Sequence, residues 1–393
     1  MLLSVALMIL MGLTLSKVFK QMKMPPLIGL LVTGIILGPY VFNAIDQNIL
    51  NVSVELRKMA LVVILLRAGL SLKLEDMKTI GKRSIFMAFI PATFEFLAIL
   101  VFGPLLLPIS YGEAAILGSI IAAVSPAVVV PRMIKLMEED KGQRKKIPQL
   151  VLSAASLDDV YVIILFTSFL QAYLQGEYNY KTLLYIPLSI VLGVSLGLVV
   201  GFIATKFFKM FHMRDTIKVL ILFALSFLAL VLENVTQKFI AISGLLTVMV
   251  LGGMIRHLYP ILAKRLVIKF EKIWVIAEMQ LFILVGAAVD INTFPSVGLL
   301  GILLITIGLI SRMIGVMVAL IKSSFTLRER VYIGLSYIPK ATVQAAIGGI
   351  PLAYGVSQGY LILAIAVLSI IVTAPLGAFA MDYSQSYLLN DLS

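Results

Sequence analysis

The sequence predicts an all-α polytopic membrane protein with about thirteen transmembrane helices. These are expected to form inverted six-helix repeats with two crossing broken helices, in spans five and twelve. Three observations carry this expectation. Of 393 residues, 61% are hydrophobic and 13% charged, far from the balance of a soluble domain. Apolar runs long enough to cross roughly 30 Å of hydrocarbon recur from end to end. The second half of the chain also echoes the first.

Taken in order, the runs cover residues 2–19, 25–42, 56–72, 84–107, 112–131, 147–175, 182–205, 216–233, 239–256, 272–290, 296–321, 331–354 and 357–381. The links between them are short and charged, and none is long enough for a separate soluble domain. The first run lacks the basic leader of a signal peptide. Lys17, Lys20 and Lys23 follow it instead, so it reads as a first span with the N-terminus outside. The chain has no cysteine, which excludes disulfides, thiol catalysis and thiolate-bound metals. Two histidines leave little from which to build a metal cluster.

A net charge of +12 would fit nucleic acid if the basic residues were clustered. They are distributed by topology instead. Of 32 Lys and Arg, 25 fall in odd-numbered links and 4 in even-numbered ones. This positive-inside pattern places the odd links and the C-terminus in the cytoplasm of a cell membrane, with a bacterial inner membrane expected. Arg144, Lys145 and Lys146 then face anionic lipid or solvent, and no nucleic-acid partner is expected.

Three basic residues remain, Arg67, Arg312 and Lys340, each inside a span. Ionisable groups in hydrocarbon are costly and mark candidate functional sites. Glu95, Asp158 and Asp159 join them. Counted by helical rise from the cytoplasmic ends, Glu95, Asp158, Arg312 and Lys340 all lie roughly 15–18 Å deep, near the midplane. Arg67 lies only about 9 Å deep and can snorkel. Glu278, about two turns into its span, is a candidate for lining a cytoplasmic funnel. Glu233, Asp290 and Asp382 sit close to span ends and read as interfacial.

GLLVTGIILG at 29–38 recurs as GLLTVMVLGG at 244–253, and ILLRAGLSL at 64–72 as ILVGAAVDI at 283–291. The displacement spans seven helices, an odd number, so the second copy crosses the membrane upside down. Inverted repeats are a common plan for secondary transporters, with the substrate site at the midplane between discontinuous helices. Span five contains AAVSPAVVVP and span twelve SYIPKATVQAAIGG. At an offset of 215 residues, Ser125 falls on Lys340. Proline in these spans is expected to break the helix and leave carbonyls free to bind a cation.

The combination of SLDDV, SPAVVVP, PKATVQAA and SRMIG resembles sodium/proton antiporters of the cation/proton antiporter superfamily, in the branch with two adjacent aspartates. The likeness covers nearly the whole chain. It implies a homodimer with scaffold helices at 1–73 and 211–291, a linker helix at 177–210, moving core helices at 79–176 and 295–385, and a short tail at 386–393. It also implies elevator-type alternating access. Asp159 is then the main cation (Na+) ligand, Asp158 its coupled partner, and Ser156 and Ser125 further oxygen ligands, with Lys340 offsetting the dipoles of the half-helices.

Two departures stand out. Where many relatives carry Thr-Asp at the first break, this chain has Val124 and Ser125; where several carry a lysine, it has Arg312. Arginine does not release its proton, so a fixed ion pair with Glu95 is expected. If Glu95 occupies Arg312, Asp158 is expected to be free of a salt bridge.

The expected activity is exchange of Na+ or Li+ for H+ without a cofactor, the two competing for the buried aspartates. Desolvation penalises the charged form of such carboxylates, which favours exchange. A K+/H+ antiporter is the alternative, ahead of a sodium-coupled organic-anion symporter. No enzyme is expected. An intramembrane aspartyl protease draws its acids from two helices, whereas adjacent residues on one helix point about 100° apart.

Overall fold

The computed structural model describes residues 1–71, 82–142, 144–174, 180–236, 242–291 and 294–389. Among these residues the regular structure is entirely helical. The first third comprises α1 (Leu2–Gln21), α2 (Pro26–Leu37), the short α3 (Gln47–Asn51), α4 (Ser53–Ser71) and α5 (Lys82–Leu106). The first broken helix follows as α6 (Tyr111–Ile121) and α7 (Pro126–Glu138), then α8 (Ile147–Leu174). Next come α9 (Tyr180–Met210), α10 (Asp215–Thr236), α11 (Gly244–Leu258), α12 (Pro260–Ala287) and α13 (Phe294–Ala319). The second broken helix is α14 (Leu327–Ser336), α15 (Thr342–Ile347) and α16 (Ile350–Ala353), and α17 (Gly359–Leu388) ends the described chain.

Eight helical stretches among the described residues are long and apolar enough to cross a membrane. Three shorter apolar helices accompany them: Pro26–Leu37, Gly244–Leu258 and Thr342–Ala353. This is an integral membrane architecture. One boundary differs clearly from the sequence reading. The basic link before span ten is itself helical, so α12 begins at Pro260 rather than near residue 272. Lys and Arg are good helix formers, and Lys264, Arg265, Lys269 and Lys272 are all exposed.

The helix starts follow local chemistry. Ser110 and Glu113 form a capping box at α6, each side chain satisfying the other's backbone N–H. Thr326 and Glu329 do the same at α14. Pro126 opens α7, where its missing N–H and fixed φ suit the first helical position. Close helix packing relies on absent side chains. A Cβ at Gly34 of α2 would collide with the Ile283 carbonyl of α12, and one at Gly69 of α4 with the Met249 carbonyl of α11.

By contacts the chain divides into two compact units. One comprises Met1–Val54, Glu75–Val162 and Leu281–Ser393; the other comprises Glu55–Leu74 and Ile163–Gln280. Glu95, Ser125, Asp158, Asp159, Arg312 and Lys340 all belong to the first unit. Within it, α5 packs most extensively against α13, and α17 packs against both broken helices.

Candidate functional site

The helix breaks place the backbone of the site. Residues 122–125 separate α6 from α7, and residues 337–341 separate α14 from α15. The two interruptions meet directly, since the Ser125 N–H donates to the Pro339 carbonyl at 2.8 Å. Lys340 is held in turn by its own N–H, which donates to Thr373 Oγ1 of α17 at 2.9 Å.

Around this crossing the intramembrane charges form one network. Glu95 of α5 is fully buried. Its Oε2 accepts from Arg312 Nη1 of α13 at 2.6 Å and from Lys340 Nζ at 2.6 Å. Arg312 does not stop at Glu95. Its Nη2 reaches Asp158 Oδ2 at 3.2 Å and Oδ1 at 3.3 Å, and its Nη1 also donates to the Ala122 carbonyl. The guanidinium lies 5.3 Å from the ring centroid of Tyr337, within cation–π range. Asp158 Oδ2 accepts a further bond from the Val124 N–H at 2.7 Å.

Two expectations therefore need correction. Pairing with Glu95 does not release Asp158, because one planar guanidinium has enough donors in a fixed fork to serve both carboxylates. Nor are the carbonyls around the first break all free. Ala122 O is held by Arg312, and Ile120 O and Ala123 O accept from Gln344 Nε2 at 3.0 and 2.9 Å. Lys340, expected to offset helix dipoles, is placed as the second cation on Glu95.

Asp159 differs from its neighbour. Asp158 is fully buried and held by Arg312 and Val124, whereas Asp159 is half-buried, with its Oδ1 sequestered and without a hydrogen-bond partner. The hydroxyls of Ser125, Thr342 and Tyr337 and the second oxygen of Glu95 are likewise buried without partners. Orphaned oxygens of this kind call for a proton, a water or a cation. The Ser156 side chain lies outside the described residues. Glu278 is half-buried on α12, in the second unit. Arg67, in the same unit, lies 3.8 Å from Glu271, both partly exposed.

Sequence reasoning missed Gln344, Thr342 and Tyr337. Gln344 and Thr342 stood in PKATVQAA, and a polar amide beside a helix break was the available signal. Tyr337 carried none beyond its proximity to that break.

Over residues 5–381 the chain matches the family described as sodium/hydrogen exchanger, transmembrane. The chain belongs to that family. Like other exchangers it is a membrane transporter rather than an enzyme, and it works without a cofactor. It is 31% identical to sodium/hydrogen exchanger 9B2 of Homo sapiens over 93% of this chain and 70% of that protein. To sodium/hydrogen exchanger 9B1 of Homo sapiens it is 29% identical, over 91% of this chain and 71% of the relative. Among solved structures it resembles the sodium proton antiporter MjNhaP1 from Methanocaldococcus jannaschii, with a TM-score of 0.81 at 19% identity. That match covers 98% of this exchanger and 97% of the other chain, and it shows a shared fold.

Proposed function

We propose that this exchanger trades one Na+, or Li+ in its place, for one H+, with the two competing at Asp159. The single observation that carries the reading is the contrast between adjacent carboxylates. Asp158 is held by Arg312 and the Val124 N–H, while Asp159 keeps a sequestered oxygen with no partner. Two fixed cations, Arg312 and Lys340, balance two fixed carboxylates, Glu95 and Asp158. One exchangeable negative charge then remains, to be neutralised by a proton or a monovalent cation. Occupancy by one excludes the other, and that exclusion couples the two fluxes. Ser125, with its buried hydroxyl free, is an added oxygen ligand, and Ser156 is proposed as another from the resemblance.

Alternating access is proposed to be elevator-like, with the core helices at 79–176 and 295–385 carrying the site past scaffold helices in a homodimer. Thirteen spans in two inverted copies, with the C-terminus cytoplasmic, fit the basic-residue distribution and the paired breaks. Two Gly contacts support the repeat. Gly34 against Ile283 and Gly69 against Met249 join repeat-related helices in reversed order. Glu278 is proposed to line the cytoplasmic funnel.

The test is exchange in proteoliposomes with an internal pH dye. Sodium should drive proton efflux from the wild type, and Asp159→Asn should abolish it. Undiminished flux in that variant would remove Asp159 from the mechanism.

A further inference from the structure

The end of α6 presents a problem of helix chemistry. The last four carbonyls of a helix have no intrahelical partner and form its negative pole. At a midplane break such oxygens are ready-made cation ligands. Here several oxygens at and just past that end are taken. Gln344 is fully buried, and its Nε2 donates to Ile120 O at 3.0 Å and Ala123 O at 2.9 Å, with Ile121 O at 3.5 Å. Its Oε1 accepts from the Ala341 N–H at 2.8 Å, at the start of α15. The amide orientation follows from its partners: an N–H faces one end and carbonyls face the other, so the reverse assignment would bury like against like. Arg312 holds a further carbonyl between those of Ile120 and Ala123, Ala122 O.

We propose that Gln344 is a specificity-determining positioning residue: by hydrogen-bonding the carbonyls of Ile120 and Ala123 it withdraws them from coordination, and so disfavours K+ relative to Na+ and Li+. It rests on the reading of Asp159 as the exchange site. Carbonyl dipoles are numerous, compliant and of modest field strength, and selectivity among alkali cations turns on the number and field strength of such ligands. Without them the cation depends on a carboxylate and a few hydroxyls, a small ligand set of high field strength that suits the smaller ions. The side chain of Gln344 bonds backbone groups, and it acts through the carbonyls it occupies.

The experiment measures half-saturating Na+ and K+ concentrations for proton efflux from proteoliposomes in wild type, Gln344→Met and Gln344→Glu. The readout is the ratio of K+ to Na+, in which a general loss of affinity cancels. Met removes every bond at similar volume. Glu keeps the acceptor for the Ala341 N–H and, with at most one O–H donor even when protonated, loses at least one of the amide's two bonds to the carbonyls. The ratio should fall about fivefold or more in both variants, on the scale of one hydrogen-bonding ligand gained. An unchanged ratio in both, or a shift in Met alone, would reduce Gln344 to a cap for α15 and overturn the proposal. Thermal melting in NaCl against KCl gives the same comparison for a variant that binds but transports slowly. Persistent sodium-driven flux in Asp159→Asn would instead sink the exchange-site reading, whatever the ratio shows.

Discussion

At the residue scale, the decisive atom is one oxygen of Glu95, which accepts from two buried cations at 2.6 Å each. Removing one partner of a buried ion pair costs about 3–5 kcal/mol, because the charge left behind has no solvent to turn to. Glu95→Gln strands Lys340 and half of Arg312 together. It should therefore lower stability by at least that amount, read as a fall in melting temperature of the detergent-solubilised protein. Lys340→Met added to Glu95→Gln should recover part of the loss, since it removes one of the stranded charges. A Glu95→Gln protein as stable as wild type would show that the network contributes nothing to folding.

Depth was legible in the sequence and direction was not. Counting helical rise placed Glu95, Asp158, Arg312 and Lys340 at one level. Which side chain faces which depends on how α5, α8, α13 and the break before α15 rotate against one another, and no linear spacing encodes that. The Glu95–Arg312 pair followed from matching charges at matching depth. The fork of Arg312 to Asp158 did not, because both acids satisfy the same depth argument.

At the scale of elements, the proposed repeat is written more clearly in polar residues than in apolar ones. Ser110 and Glu113 cap α6; Thr326 and Glu329, each 216 residues later, cap α14. Apolar echoes arise easily by chance in a membrane protein, whereas a capping box repeated at the same offset at the start of both broken helices does not. The two glutamates also hold a further segment in exchanged fashion. Glu113 accepts from the Gln358 N–H at the entry to α17, and Glu329 accepts from Lys145 Nζ at 2.8 Å, just before α8. On the proposed repeat plan, each copy thus steadies the last helix of the other.

Glu329 lies outside the spans, and its ionisation has a definite sign. Burial works against its charge, but Lys145 and the Thr326 N–H outweigh that and hold its carboxyl below the usual range. A depressed carboxyl stabilises the fold above its unfolded value, and that contribution is lost as pH falls through the lowered one. Glu329→Gln should therefore be less stable at neutral pH and lose less stability on acidification than wild type, measured as melting temperature against pH. Thr326→Ala removes only the cap and should cost about 1 kcal/mol with the acid dependence largely retained.

At the scale of the whole molecule, the charges of the site set what a transport cycle can carry. Arg312 and Lys340 are matched by Glu95 and Asp158, so on the proposed reading the site carries one unbalanced negative charge when Asp159 is empty. Loaded with either Na+ or H+ it is neutral, and the empty form is the one hydrocarbon opposes. Exchange should then be one for one and electrically silent. The alternative, in which Asp158 also gives up a proton each cycle, would carry net charge through a membrane potential worth about 2.3 kcal/mol per charge per 100 mV. Proteoliposomes clamped with a potassium gradient and valinomycin distinguish the two. With equal Na+ gradients, the pH difference reached at equilibrium should be the same at zero and at 100 mV, values on the scale of a physiological potential of roughly that size. A final pH difference that moves with the clamp would mean that Asp158 leaves Arg312 during the cycle. The fork that binds the two carboxylates would then belong to only one of the states through which this exchanger passes.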